Sequence, residues 1–233
     1  VITTTERVDD WVEGWCRARG VQRVREDGAW LVDVGAESRT RERILVDPSP
    51  SALQAGAERM AGPQEWLTVI GRGDDARLAP AAGLELVAGD ESLMAALLGP
   101  GRTAEGALLE GAVLEGAVLE GAVLEAADGV ASVRLLVDGV VAAQGTAAVH
   151  GTVAVLDRIE TDARFRRRGL GRRVVDALTA WARSEGARNG LLVASTDGRA
   201  LYLTLGWEVV APVRIWRRAA LRDPGQGCAA AGR

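Results

Sequence analysis

The stretch Arg164-Phe165-Arg166-Arg167-Arg168-Gly169-Leu170-Gly171-Arg172-Arg173 joins an apolar strand, Val153–Thr161, to a helix. Leu170, Val174, Val175, Leu178, Trp181 and Ala182 recur at helical spacing, and Gly186 stops the run. A helix start presents unpaired backbone N–H groups and a favourable dipole to an anion. Gly169 and Gly171 let the backbone turn tightly and approach a ligand, and the arginines add charge-assisted bonds. Two phosphate loops are excluded. A P-loop requires Gly-Lys-Ser/Thr, and the chain has no lysine. A dinucleotide fingerprint requires a third glycine where Val174 stands, and a βαβ unit where the strand here ends a meander. The plain alternative is a solvated basic turn.

Charge sets this stretch apart. It holds six arginines and no acid, which leaves 22 cations against 32 acids elsewhere, a balance of −10 in a chain of net charge −4. A sharp cationic spot on an acidic protein suits a small anionic ligand better than nucleic acid. The bias to Arg, Ala and Gly is that of a GC-rich, bacterial genome, and it is the competing explanation for any cluster of these residues.

Upstream, Ser132–Val137, Val140–Val149 and Val153–Thr161 are strands joined by Asp138-Gly139 and His150-Gly151, an antiparallel meander. His150 therefore reads as a surface residue. Downstream come a strand at Gly190–Ser195, a short helix at Arg199–Leu205 stopped by Gly206, and strands at Trp207–Val213 and Arg214–Arg218.

With that order in place, residues 131–218 resemble the core of the GNAT superfamily of acyl-CoA N-acyltransferases. The family's Arg/Gln-x-x-Gly-x-Gly/Ala loop matches Arg166 to Gly171. Its closing Leu-Tyr-x-x-Leu-Gly-Phe/Trp segment matches Leu201-Tyr202-Leu203-Thr204-Leu205-Gly206-Trp207. The resemblance implies a mixed, mainly antiparallel α+β (α/β) sheet flanked by helices. It also implies that Val153–Thr161 and Gly190–Ser195 splay apart to admit the pantetheine arm of acetyl-CoA.

By the same resemblance, Ile159, Glu160 and Thr161 offer backbone groups to pantetheine. Arg166, Arg167, Arg168, Gly169, Leu170, Gly171 and Arg172 hold the pyrophosphate, and Tyr202 is the acid for the departing thiolate. Tyr202 has no competitor, being the one tyrosine of the chain, though a core tyrosine is the plain reading. The base is open. The strand position where many relatives carry Glu reads apolar, near Val153 and Val155. Asp157 and Glu160 are the nearby carboxylates, and either could instead pair with Arg158 or the arginine cluster. Glu160 is taken as the candidate.

Between 105 and 125, Glu-Gly-Ala-Leu-Leu is followed by three copies of Glu-Gly-Ala-Val-Leu. A period of five flips each successive Leu across a strand and makes no stripe on a helix. In another frame it resembles a pentapeptide-repeat β-helix. The preferred reading is a tandem expansion with one copy as strand and the rest as loop. An interaction surface is a further reading. Relatives carry a strand and two helices here, so the acceptor site must be built differently.

The N-terminal hundred residues read as a small α/β unit similar to a divergent leader half of some two-part GNAT proteins. Thr3 and Glu6 have capping-box spacing before a helix over 5–19, with Val8, Trp11, Val12 and Trp15 on one face and Gly20 as its stop. Strands at Ala29–Val34, Arg43–Val46 and Trp66–Ile70 and a helix at Ser51–Met60 follow. Leu84–Val87 and Ser92–Leu98 fit either element. The organisation expected is 1–100 N-terminal region, 101–130 repeats, 131–220 core and 221–233 tail.

Hydrophobic content of 48% and charged content of 26% suit a globular chain. No apolar run reaches bilayer length, Val1–Glu6 lacks the features of a signal peptide, and Cys16 and Cys228 give no disulfide framework. A cytoplasmic protein without metal is expected. Its partner would be a small-molecule or protein amine, not nucleic acid or membrane, with a homodimer left open. The function expected is an acetyl-CoA-dependent N-acetyltransferase acting by direct attack. The alternative is a CoA-binding sensor or scaffold that has lost turnover.

Overall fold

The computed structural model describes residues 2–99, 113–114 and 117–219, with side chains for 2–99 and 121–219. The expected tail at 221–233 lies outside them. Helix α1 (Thr4–Arg19) begins on the expected capping box: the Thr3 hydroxyl accepts from Glu6 N, and Glu6 accepts from Thr3 N. It ends at Gly20 in the left-handed conformation, φ 65°.

The first half continues through β1 (Gln22–Glu26), β2 (Ala29–Ala36), β3 (Arg39–Val46), α2 (Pro50–Glu58), β4 (Glu65–Ile70), α3 (Asp75–Ala81) and β5 (Leu84–Leu97). The two ambiguous apolar runs are thus one strand, β5. Its middle, residues 85–90, is exposed or half-buried at every position, which masked the periodicity. Strand β1, charged and largely exposed, and the short α3 carry too little apolar pattern to be read from sequence.

The second half runs β6 (Val113–Leu114), β7 (Ala117–Ala127), β8 (Val130–Val137), β9 (Val140–His150), β10 (Val153–Thr161), α4 (Leu170–Ser184), β11 (Asn189–Ala194), α5 (Thr196–Thr204) and β12 (Glu208–Arg218). The strands expected at 207–213 and 214–218 are one, bent by register shifts against β5. The repeats depart from expectation. Strand β7 takes in most of the last two copies rather than one. Between Leu119↔Val137 and Gly121↔Leu136 it carries an extra residue. That bulge makes up the odd period, so positions 119 and 124 oppose Val137 and Val133, four apart on β8.

The strands form a sheet in the order β1-β2-β3-β4-β12-β5-β11-β10-β9-β8-β7-β6. From β1 to β8 the pairing types read the same from either end, with parallel pairs only at β3–β4 and β10–β11. The two halves repeat one topology, and each donates its last strand to the other. Strand β12 pairs with β4, and β5 pairs with β11. A core under α2 and α3 includes Leu53, Leu67 and Trp216; one under α4 and α5 includes Val174, Leu178, Tyr202 and Trp207. The third lies under α1 and draws strand residues from both halves, with Trp11 and Trp15 stacked at 5.2 Å. Among the described residues no helix is long and apolar enough to cross a membrane.

Candidate active site

The two parallel pairs differ where it matters. Strands β3 and β4 pair over six positions, Arg41↔Glu65 to Val46↔Ile70. Strands β10 and β11 pair over three, Val153↔Asn189 to Val155↔Leu191, and then part. A bulge sits at the divergence: the register with β9 shifts between Asp157 and Glu160, and Arg158 takes φ 52°. Beyond it Ile159, Glu160 and Thr161 border a cleft of about 880 Å³.

The opposite wall is the start of α4. Its N-cap, Gly169, has φ 77° and no side chain to cap the first N–H groups; Arg167 also takes φ 64°. Successive turns of this kind make a concave nest of N–H donors. The equivalent helix of the first half, α2, has Ser49 bonded to Ala52 N and Pro50 at its first turn, with no glycine or arginine there. Its N-terminus is self-satisfied. Among the described residues, only the second half thus offers open donors beside parting strands.

Arg166, Arg167, Gly169, Leu170, Gly171 and Arg172 all line the cleft. Arg168 does not: its guanidinium lies over the Phe165 ring, 5.5 Å from the centroid. Arg164 pairs with Asp162, which it holds down to about 2, and Arg172 lies 3.5 Å from Asp176. Arg173 Nη1 is buried without a hydrogen bond, and burial lowers this guanidinium's pKa. The donor set of open N–H groups and cations suits a pyrophosphate, so the residues present fit the acyl-CoA that the sequence implied.

Tyr202, 6% exposed on α5, lines the same cleft. Burial pushes its pKa up to about 12, with Asp157 adding to the effect. It therefore stays a proton donor at neutral pH. Glu160 is exposed and accepts from Gln144 Nε2 at 3.2 Å. Asp157 faces the other side of the sheet, where Arg19 of α1 binds it by two hydrogen bonds. Neither carboxylate pairs with Arg158 or the arginine loop, the partners weighed from sequence. His150 ends β9 exposed, as read.

Sequence reasoning missed two contributions. Ser195–Gly198, the start of α5, closes the cleft, and Ser195 following an apolar strand was its available signal. The second is a chamber on the α1 face, because the tryptophans that wall it read as core.

Residues 110–207 match the model of the acetyltransferase (GNAT) family. The fold is similar to a GCN5-related N-acetyltransferase from Kribbella flavida (TM-score 0.60, 17% identity, covering 94% of this chain and 97% of that one). It is also similar to an acetyltransferase of the GNAT family from Novosphingobium aromaticivorans (0.60, 14%, 92% and 97%). A tandem GNAT protein of the clavulanic acid biosynthesis pathway aligns at 0.51 and 12% identity, covering 85% and 82%. No curated protein matches the chain. The parted strands and the open helix start fall inside the matched stretch: residues 110–207 are similar to the acetyltransferase (GNAT) family, and the fold of the chain is the one its structural neighbours share.

Proposed function

We propose that the chain is an acetyl-CoA-dependent N-acetyltransferase working by direct attack in a ternary complex. The observation that carries this is the uncapped α4 start, with Gly169 at φ 77°, facing Tyr202 across the gap between β10 and β11. The α4 N–H groups with Arg166, Arg167 and Arg172 hold the pyrophosphate. Residues 159–161, left unpaired by β11, offer backbone groups to the pantetheine arm.

A neutral amine attacks the thioester carbonyl; a C–N bond forms and the C–S bond breaks. The amine nitrogen gives up one proton, and the departing sulfur takes one from Tyr202, whose high pKa keeps that proton available. Glu160 remains a candidate for the nitrogen's proton; it is exposed and accepts a hydrogen bond from Gln144.

Acetyl-CoA binding by calorimetry, followed by release of free CoA thiol over an amine panel, tests this reading. Binding and amine-dependent release are expected, both lost in Gly169→Glu, with release alone reduced in Tyr202→Phe. Turnover untouched by both substitutions would place the site elsewhere.

A further inference from the structure

On the α1 face, opposite the cleft, lies a second cavity of about 410 Å³, within the range of small-molecule sites. It sits over the middle of the sheet, where the halves exchange strands, and both halves line it. Trp11, Trp15 and Trp66 form its aromatic wall. Asp157 and Val193, each two residues beyond the last β10–β11 pair, Val155↔Leu191, lie at one side. The cavity and the acyl-CoA cleft therefore flank the same gap from opposite faces.

Its charges do not cancel. Two arginines, Arg19 and Arg39, meet three acids, Glu42, Glu91 and Asp157, a balance of −1. Arg19 is committed to Asp157 by two hydrogen bonds. Arg39 lies 3.1 Å from Glu42 Oε2 and over the rings of Trp66 and Trp15, at 4.9 and 5.9 Å. Glu91 has neither hydrogen bond nor ion pair among the described residues. It is partly buried, and burial and then Glu42 raise its pKa, against the pull of Arg39.

Two more polar atoms lack a hydrogen bond. Glu42 is 2% exposed, and its Oε2 makes no hydrogen bond, the Arg39 contact lacking the geometry; the Trp66 indole N–H is also buried and unsatisfied. Such atoms carry an unrecovered desolvation cost unless a ligand or water meets them. Nor do the carboxylates converge as metal ligands: no group of three His, Cys, Asp or Glu among the described residues could hold an ion.

We propose that this cavity is the acceptor chamber, that it takes a small primary amine bearing an aromatic or apolar arm, and that Glu91 receives the amine's charge and its proton. This rests on the acetyltransferase reading above. The arm packs on the tryptophans, and the ammonium answers the uncompensated carboxylate. Leu93 pairs with Val193, and Glu91 stands two residues along on the same face, about 8 Å from the gap by strand geometry. The neutral nitrogen then reaches the thioester through the gap, and the second proton, lost as the C–N bond forms, replaces the one that Tyr202 gives to the departing sulfur. Val153 and Val155 leave that part of β10 apolar; this assignment puts the base on β5, in the other half of the chain.

The test uses the full chain and two readouts. Tryptophan fluorescence is titrated with phenethylamine and benzylamine, with phenylacetate and benzyl alcohol as size-matched controls. Acetyl-CoA binding is measured separately by calorimetry. Saturable quenching by the amines alone is expected. Glu91→Gln should raise the half-saturating amine concentration at least tenfold, and Glu91→Asp less, while acetyl-CoA affinity stays within twofold. In thiol release, the acid limb of the pH profile should lie above the ordinary carboxylate range and disappear in Glu91→Gln. Absence of any saturable amine response, equal response to phenylacetate, or an unchanged Glu91→Gln titration would each overturn the assignment. Loss of acetyl-CoA binding in the unaltered chain would instead strike the acetyltransferase reading, since fluorescence reports the cavity independently.

Discussion

Arg19 and Asp157, 138 residues apart, are joined by two hydrogen bonds, Nε to Oδ2 at 2.7 Å and Nη2 to Oδ1 at 2.9 Å. This pair fastens the end of α1 to the point where β10 leaves β11. Both side chains are largely buried, at 18% and 13% exposure. Removing one partner leaves a charge in poorly solvating surroundings. Arg19→Ala should cost about 3–5 kcal/mol in urea unfolding, more than a surface pair would.

The same carboxylate acts on the tyrosine. Asp157 helps hold the Tyr202 pKa at about 12, so Asp157→Asn should lower it towards 10. With one tyrosine in the chain, absorbance at the phenolate band reports Tyr202 without interference from others. An unmoved titration would show that burial alone sets the value.

Alkaline stability should reflect that shift. Below about pH 10, Tyr202 is protonated in both the folded and unfolded chain, and its contribution is complete. From there to about pH 12 only the unfolded chain releases the proton, so stability falls by about 2–3 kcal/mol over this window. Buried Cys16, also raised to about 12, adds a fall beginning near its lower ordinary value. No lysine titrates there to obscure the result. Tyr202→Phe should flatten the curve between pH 10 and 12, as measured by denaturant midpoint against pH.

Gly169→Glu should leave folding nearly intact, since a side chain at this position meets nothing within 4 Å and the left-handed backbone costs about 1–2 kcal/mol. It should nevertheless weaken acetyl-CoA binding at least tenfold by setting a carboxylate over the open N–H groups. Binding to the unaltered chain should weaken steeply between 50 and 500 mM salt, because Arg166, Arg167 and Arg172 are exposed.

Gly14 packs α1 directly on the sheet: a Cβ there would lie 2.3 Å from Val155 Cγ2. Gly14→Ala should destabilise by about 1–3 kcal/mol through overpacking. Combined with Val155→Ala it should cost less than the sum of the two single changes, the signature of a shared space.

What could be read in advance follows from how locally each element is specified. The meander, α4 and the Gly-x-Gly turn were legible because periodicity and turn chemistry agree within short windows, as at Asp138-Gly139. Strand β5 was not, because its centre, exposed or half-buried over residues 85–90, breaks the apolar pattern into two short runs. The repeats were misjudged because a bulge, a property of pairing with β8, absorbs their period. In the site, the anion-binding loop was legible and Arg168 was not separable from its neighbours, since only packing decides that it stacks on Phe165. The α1-face cavity was hidden, because its polar lining comes from α1, β3, β4, β5 and β10, and no spacing along the chain reports their convergence.

Strand β12 lies between β4 and β5, which are joined in sequence by α3 but do not touch as neighbours in the sheet. During synthesis the first half therefore emerges with a slot in its sheet. Leu67 and Val69 on one side, and Leu93 and Met94 on the other, wait for a strand that ends at residue 218. No amount of early folding can close that slot. The nascent chain must hold two apolar, unpaired edges apart while the whole second half is made, a hazard that a protein with self-contained halves would escape.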